Sequence, residues 1–264
     1  MTSIPLLPAD RPPDRPSRLV DDFTPRLLLP GEHSFCPGCG EPAVMRAVAE
    51  LVDELEMTTR SVGVIGIGCY TGFAGALDIE VLQALHGRAP SLATGLKRSR
   101  PDTIVFTVQG DGDMVNEGLQ EVLHSAARGE RITSILLNNG VFGETGGHMT
   151  ATTVLGQRTK NTLEGRNAPD HGYPIRLSDI LAGIDGTAYV ARGATNSAGN
   201  VSRLRRMLRK AFEVQAAGLG FSFVEVLTMC PTGWFIETEE APDYLSNSLA
   251  EVHTIGVVKD ITAA

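Results

Sequence analysis

The chain has 264 residues, 42% of them hydrophobic, with a formal net charge of −8 at pH 7 and four cysteines. Such apolar content supports a real core, and with no run of about eighteen apolar residues nothing in the sequence reads as a membrane span. The acidic balance excludes a nucleic-acid backbone as partner, because that contact needs a clustered excess of cations.

The leader "MTSIPLLPADRPPDRPSRLV" mixes Arg and Asp with Pro instead of placing a basic end before an apolar stretch, so the expected compartment is the cytoplasm. Seven of the fifteen prolines fall in residues 1–30, a density that rules out regular structure and predicts an extended arm, laid along a partner surface or mobile. Residues 31–240 read as the main domain and 241–264 as a C-terminal tail. Pro42 suits a first helical turn, and Ala43, Val44, Ala47, Val48, Leu51, Val52 and Leu55 mark one face of the helix that follows. Buried strands are predicted at "SVGVIGIG", "TIVFTVQ", "ITSILLN", "TAYVAR" and "FSFVEVL", and helices at "NEGLQEVLHSAARG" and "NVSRLRRMLRKAFEVQ". In the last helix the basic run from Arg203 to Lys210 is a solvated face opposite Leu204, Met207, Leu208, Ala211 and Phe212. Strands alternating with helices predict an α/β fold, a mostly parallel sheet with helices on both faces. From Gly143 to Pro174 the chain is rich in Gly, Thr and Asn without periodicity, and so long a loop in a compact domain is usually functional.

Two stretches carry chemistry. "SFCPGCGEPAV" sets Cys36 and Cys39 just ahead of the first helix, while Cys69 and Cys230 each follow a predicted strand. A disulfide framework does not suit a cytoplasmic chain of this size. The thiols can be small buried hydrophobes, a structural zinc site or an iron–sulfur site, since four thiolates serve either metal. In "VQGDGDMVNEG" a strand ends and a helix begins, where glycines let backbone N–H groups approach anionic oxygen and an Asp can ligate a hard cation. "GDG" alone is also ordinary turn chemistry. A second strand ends in Asn138–Asn139 after the twenty-five residues Asp113 to Leu137, a gap that fits one helix and one strand. Adjacent strand ends can therefore present Asp111 and Asn139 to one cation.

Gly-Asp-Gly followed at this spacing by Asn-Asn resembles the thiamine diphosphate motif. The resemblance implies that Asp111, Asn139 and the carbonyl of Val141 hold Mg²⁺ against the diphosphate, a hard-oxygen set of the kind Mg²⁺ requires. Taken in order, "CPGCG", "GIGC", "HGRA", "GDGD", "NN" and "CPTGW" resemble the β subunit of the 2-oxoacid:ferredoxin oxidoreductases, over about Pro30 to Trp234. That family implies a [4Fe–4S] cluster on Cys36, Cys39, Cys69 and Cys230. It also implies that Ile67, Gly68, Cys69 and Tyr70 line the cofactor, that Gly112 and Asp113 donate backbone N–H groups to the diphosphate, and that Gly143 and Glu144 close over it. His86 opens a helical pattern and is either a cofactor contact or a capping residue; His148 is the other histidine expected near the site. Two departures from the family pattern stand out: Tyr70 where a small residue is expected, and Glu144 where an apolar one is common. Glu144 either faces the substrate or caps a local N–H.

The implied reaction turns a 2-oxoacid and coenzyme A into acyl-CoA and CO2, with electrons passing through the cluster to ferredoxin. No confident catalytic residue lies in this chain, His86 and Glu144 being the candidates. The acid that activates thiamine diphosphate is expected on an α subunit, in an αβ or (αβ)2 assembly. The rival readings are a non-redox thiamine diphosphate-dependent decarboxylase subunit with a structural zinc site, and a zinc-bearing binding or assembly protein.

Overall fold

A computed structural model of the chain describes residues 25–29 and 33–263. Most of the arm expected over residues 1–30 lies outside the described residues. Its described end is docked: Leu27 is buried, and the backbone of Leu27 and Leu29 exchanges hydrogen bonds with Asp78 and Ala76.

Seven strands form one sheet: β1 (Ser61–Ile65), β2 (Glu80–Gln83), β3 (Ile104–Gly110), β4 (Thr133–Asn138), β7 (Thr187–Ala194), β8 (Phe221–Leu227) and β9 (Gly256–Asp260), in the order β2-β1-β3-β4-β8-β7-β9. All neighbours pair in parallel except β9, which runs antiparallel to β7. β5 (Val141–Phe142) and β6 (His148–Met149) make a separate small hairpin. The α/β architecture read from the sequence, a mostly parallel sheet covered on both faces, is the one observed.

Period-two side-chain alternation sorts the apolar strands between two cores. Phe106, Ile135, Leu137, Val224 and Val226 face the layer made by α1 (Glu41–Glu54) and α7 (Ala198–Ala216). On the other face, Val105, Leu136 and Phe223 meet Ala93 of α3 (Ala89–Ser99), Val122 of α4 (Leu119–Ala127) and Leu181 of α6 (Leu177–Ala182). The remaining short α-helices are α2 (Phe73–Ala76), α5 (Ala168–His171), α8 (Pro231–Trp234), α9 (Ala241–Asn247) and α10 (Leu249–Val252). Residues 241–263, set apart in the sequence as a tail, are tied into the fold: Leu245 and Leu249 are buried beside Trp234, and β9 covers the sheet edge at β7. Among the described residues no helix is long and apolar enough to cross a membrane.

The chain leaves β1 to one side for β2 and returns on the other side as β3. A parallel sheet opens a crevice where its winding reverses in this way, at the carboxyl ends of the strands. Gly66–Tyr70 after β1 and Asp111–Asp113 after β3 are the segments that reach that crevice.

Candidate cofactor site

A cavity of about 450 Å³ opens at the carboxyl ends of β1, β3 and β4. It is lined by Ile67, Gly68, Cys69, Tyr70, His86, Asp111, Gly112, Asp113, Asn139, Val141, Gly143, Glu144 and His148, so residues singled out from five stretches of sequence face one space. β3 and β4 pair directly, with Gly110 opposite Leu137. Asp111 and Asn139 thus follow adjacent strand ends, as their spacing predicted.

Asp111 is 1% exposed, and Thr150 and Thr152 each donate a hydroxyl hydrogen bond of 2.5 Å to its Oδ2. Burial pushes its pKa up to about 6, although these hydroxyls and nearby backbone N–H groups stabilise the anion. Desolvation still outweighs the four hydrogen bonds that favour the anion. Asn139 is fixed from both sides: its Oδ1 accepts from Val141 N at 3.0 Å, and Trp234 Nε1 donates to its carbonyl at 2.7 Å.

Past Asp111 the backbone winds as a π-helical turn, Gly112–Glu117, an irregularity common at functional sites. A Cβ on Gly112 would stand 2.1 Å from the Phe142 ring, so only glycine lets the β5 loop approach this turn. Asp113 is a hub. Its Oδ2 accepts from Tyr70 Oη at 2.6 Å and from Ile67 N at 3.2 Å, and its Oδ1 accepts from Gly87 N. The carboxylate thereby ties the loop after β1 to the turn after β2. His86 does not open a helix, since α3 begins at Ala89; it stands in that turn with Nδ1 3.5 Å from Asp113 Oδ1 and 3.8 Å from Glu117 Oε2. Tyr70, one of the two departures, is 3% exposed and packs against Gly68 and Gly110, where a Cβ would strike its ring.

The sulfurs gather at the other end. Cys36 is exposed, while Cys39, Cys69 and Cys230 are half-buried. Cys69 and Cys230 sulfurs lie 3.6 and 3.5 Å from where a Cβ on Gly143 would stand. Desolvation raises the Cys39 and Cys69 thiols above their ordinary value and Cys230 to about 12; Cys39 and Cys230 each feel Cys36 as well, and Cys39 and Cys69 each feel Cys230. The four thiols share one neighbourhood, but among the described residues no three His, Cys, Asp or Glu side chains converge on a single metal ion. A tetrahedral zinc centre would bring its sulfurs to about 3.8 Å of one another, from Zn–S bonds of about 2.3 Å. A bridged cluster spreads its thiolates farther apart, and Gly143 stands beside the sulfurs of both Cys69 and Cys230.

Three contributors escaped sequence reasoning. Glu41, at the start of α1, is 3% exposed, faces the cavity and leaves its Oε2 unpartnered. Burial, then Asp111 and Glu144, push its pKa up to about 8. Its position two residues beyond Cys39 was the available signal. Thr150 and Thr152 sit in the aperiodic loop, where "MTATT" was the only hint. Glu144 is exposed at the cavity rim, and its carboxylate lies close enough to the Cys69 thiol to help raise it. With Asp111, Glu41 and Glu144 on its wall and no Lys or Arg, the cavity fits an anionic group only when a cation comes with it.

Comparison with known proteins agrees with this geometry. Residues 66–226 match the family model described as thiamine pyrophosphate enzyme, C-terminal TPP binding domain. The ketoisovalerate oxidoreductase subunit VorA of Methanothermobacter thermautotrophicus is 33% identical over 250 residues, covering 94% of this chain and 52% of that protein. The 2-oxoacid:ferredoxin oxidoreductase subunit beta of a Sulfolobus species is 34% identical over 225 residues, covering 83% of this chain and 67% of the relative. The chain spans about half the length of VorA. Among solved structures, a 2-oxoglutarate:ferredoxin oxidoreductase from Magnetococcus marinus, with 2-oxoglutarate, coenzyme A and succinyl-CoA bound, superposes with a TM-score of 0.75 at 24% identity, covering 92% of this chain and 87% of that one; the likeness establishes the fold. A buried Asp–Asn pair on adjacent strand ends, the family match and these relatives together place the chain among the thiamine diphosphate-binding subunits of the 2-oxoacid:ferredoxin oxidoreductase family.

Proposed function

We propose that the chain is the thiamine diphosphate- and [4Fe–4S]-bearing β subunit of a cytoplasmic 2-oxoacid:ferredoxin oxidoreductase. The observation that carries the reading is a cavity whose wall holds Asp111 and Asn139 as well as the Cys69 thiol, with the Cys230 sulfur close behind Gly143. Asp111, Asn139 and the Val141 carbonyl would hold Mg²⁺, and the backbone of Gly112 and Asp113 would receive the diphosphate. Cys36, Cys39, Cys69 and Cys230 would hold the cluster. When bound, thiamine diphosphate supplies a nucleophilic carbon and an electron sink for decarboxylation, and the cluster takes electrons singly.

The chain's own residues orient and insulate. Asp113 locks the loop bearing Cys69 to the loop bearing Gly87. Glu41, with its raised pKa, holds a proton at the cavity wall. His86, at 42% side-chain exposure, stands at the mouth, where it can contact cofactor or substrate. Overall, a 2-oxoacid, coenzyme A and oxidised ferredoxin become acyl-CoA, CO2 and reduced ferredoxin. An α subunit supplies the acid that activates the cofactor; relatives named as subunits support such a partner. The test is the composition of the complex purified without oxygen. About four iron and four sulfide per chain, with thiamine diphosphate and Mg²⁺, is the expected result; zinc, or thiols free of metal, would overturn the reading.

A further inference from the structure

Beneath the cation end lies a carboxylate that the proposed chemistry does not use. Glu225 sits on interior strand β8 between apolar neighbours, is fully buried, and draws groups from four parts of the chain. Asn138 Nδ2, at the end of β4, donates to its Oε1 at 2.7 Å, and Ser178 of α6 donates to its Oε2. Arg192 of β7 donates from Nε to Oε2 at 2.7 Å, and His253 Nδ1 stands 3.6 Å from Oε1. Burial opposes the charge on Glu225, but Arg192 and the donors around it hold the carboxyl below its ordinary value.

Two lines run from Glu225 up to Asp111 and Asn139. Asn138 is covalently next to Asn139, and its Oδ1 accepts from Gly140 N at 3.1 Å, so its side chain clamps the turn that carries the second ligand. On the other line, His253 Nε2 meets the Thr152 carbonyl at 3.2 Å, and the Thr152 hydroxyl donates to Asp111 Oδ2. Arg192 Nη1 donates to the Thr254 carbonyl at 2.9 Å and so anchors the segment that bears His253. A buried ion pair is a poor route to stability, because its desolvation penalty is large and packed apolar side chains commonly do as well. Here it joins the two loops that meet at the cation site.

We infer that Glu225 is a positioning residue for the cation site, fixing Asn139 through Asn138 and the Asp111 shell through Arg192, the segment it anchors at Thr254, and the contact of His253 with Thr152. This rests on reading Asp111 and Asn139 as the Mg²⁺ ligands. Outer-shell partners that orient ligands typically cost about 10- to 100-fold in metal affinity when removed.

The test uses the full chain with its partner subunit, freed of thiamine diphosphate and Mg²⁺, and titrates Mg²⁺ calorimetrically in the presence of saturating thiamine diphosphate. Asn138→Ala, His253→Leu and the paired variant Glu225→Gln with Arg192→Met, which leaves no lone buried charge, should each weaken Mg²⁺ by about tenfold or more. Combining Asn138→Ala with the paired variant should add little, because both cut the same line. A purely structural role predicts a lower melting temperature for the cofactor-free protein with Mg²⁺ affinity within about twofold of wild type, which would overturn the inference. Asn138→Ala leaves the ion pair intact, so the question stays decidable if the charge variants do not fold. Asp111→Ala separates the two levels. Lost Mg²⁺ binding there with normal binding in the Glu225 and Asn138 variants ends this inference alone; normal binding in Asp111→Ala ends the cation-site reading with it.

Discussion

Asp111 and Asn139 stand on the ends of two paired interior strands, each held by hydrogen bonds already formed. Cys36 and Cys39, by contrast, stand on a turn ahead of α1, and Cys69 and Cys230 on short segments beyond β1 and β8, with all four thiols free. The oxygen end is a preformed cradle whose ligands keep their places through the fold. At the sulfur end burial raises three of the thiols and no protein group neutralises them. Protonated thiols are poor ligands, so the proposed cluster must displace protons as it binds, and its formation couples to the ordering of these turns. The proposed oxygen ligands would be organised by folding, the proposed sulfur ligands by their metal.

The largest effect expected from this contrast is on cofactor retention. Asp111→Ala should remove bound thiamine diphosphate to below about one hundredth of wild-type affinity, because a polyanion cannot enter an acidic, largely dry pocket without its cation. Iron content should be unchanged, and chromatographic cofactor assay beside iron analysis reads both; joint loss would show that the two ends do not assemble independently. Cys69→Ser comes next. It should strip or destabilise the cluster, visible as lost visible absorbance and iron, while the Asp111 end still binds thiamine diphosphate, since serine is a poor ligand among thiolates. Undiminished iron with normal ferredoxin reduction would end the cysteine assignment. A smaller effect is expected from Thr152→Val, which removes one hydrogen bond to the Asp111 anion. Charged hydrogen bonds contribute about 1.5–3 kcal/mol, so Mg²⁺ should weaken by roughly 10- to 100-fold. An unchanged dissociation constant would show that Thr150 alone suffices.

The fold was legible in the interior strands, whose mainly apolar runs are buried on both faces and need no alternation to be recognised. β2 and β9 were not: "EVLQ" and "GVVKD" are edge strands with exposed side chains, and their pairing follows from the sheet beside them. The π-helical turn after Asp111 was invisible for a related reason, since it rests on backbone hydrogen bonding and has no residue pattern of its own. Asp111 and Asn139 were legible because strand-end spacing alone brings them together. Thr150 and Thr152, 39 and 41 residues beyond Asp111, reach it only through the folding of a loop without periodicity. Glu41 carried no distinguishing signal, because a carboxylate at a helix start is favoured by the helix dipole whatever its function. His253 has no metal-ligand spacing in the sequence; its contacts with Glu225 and Thr152 depend on how α9 and α10 return the chain to the sheet.

Glu144 joins the two ends, and the smallest predicted effect is on substrate choice. Its carboxylate lies near the Cys69 thiol and also lines the cavity with Glu41 and Asp111. If Cys69 ligates the proposed cluster it has no proton to donate, and a carboxylate beside a thiolate is repelled. Glu144 then turns toward the cavity, where a second carboxylate on a substrate such as 2-oxoglutarate would meet it. Two unit charges about 4 Å apart repel by about 4 kcal/mol at an effective dielectric near 20, and exposure at the rim reduces that by screening. Glu144→Leu should therefore raise kcat/KM for 2-oxoglutarate relative to pyruvate and 2-oxoisovalerate by about tenfold, or roughly 1.4 kcal/mol of transition-state discrimination. Measured on the complex with its cluster intact, a ratio that moves by less than about twofold would mean that Glu144 is paired by the α subunit or held away from the substrate, and that selectivity is set elsewhere in the cavity.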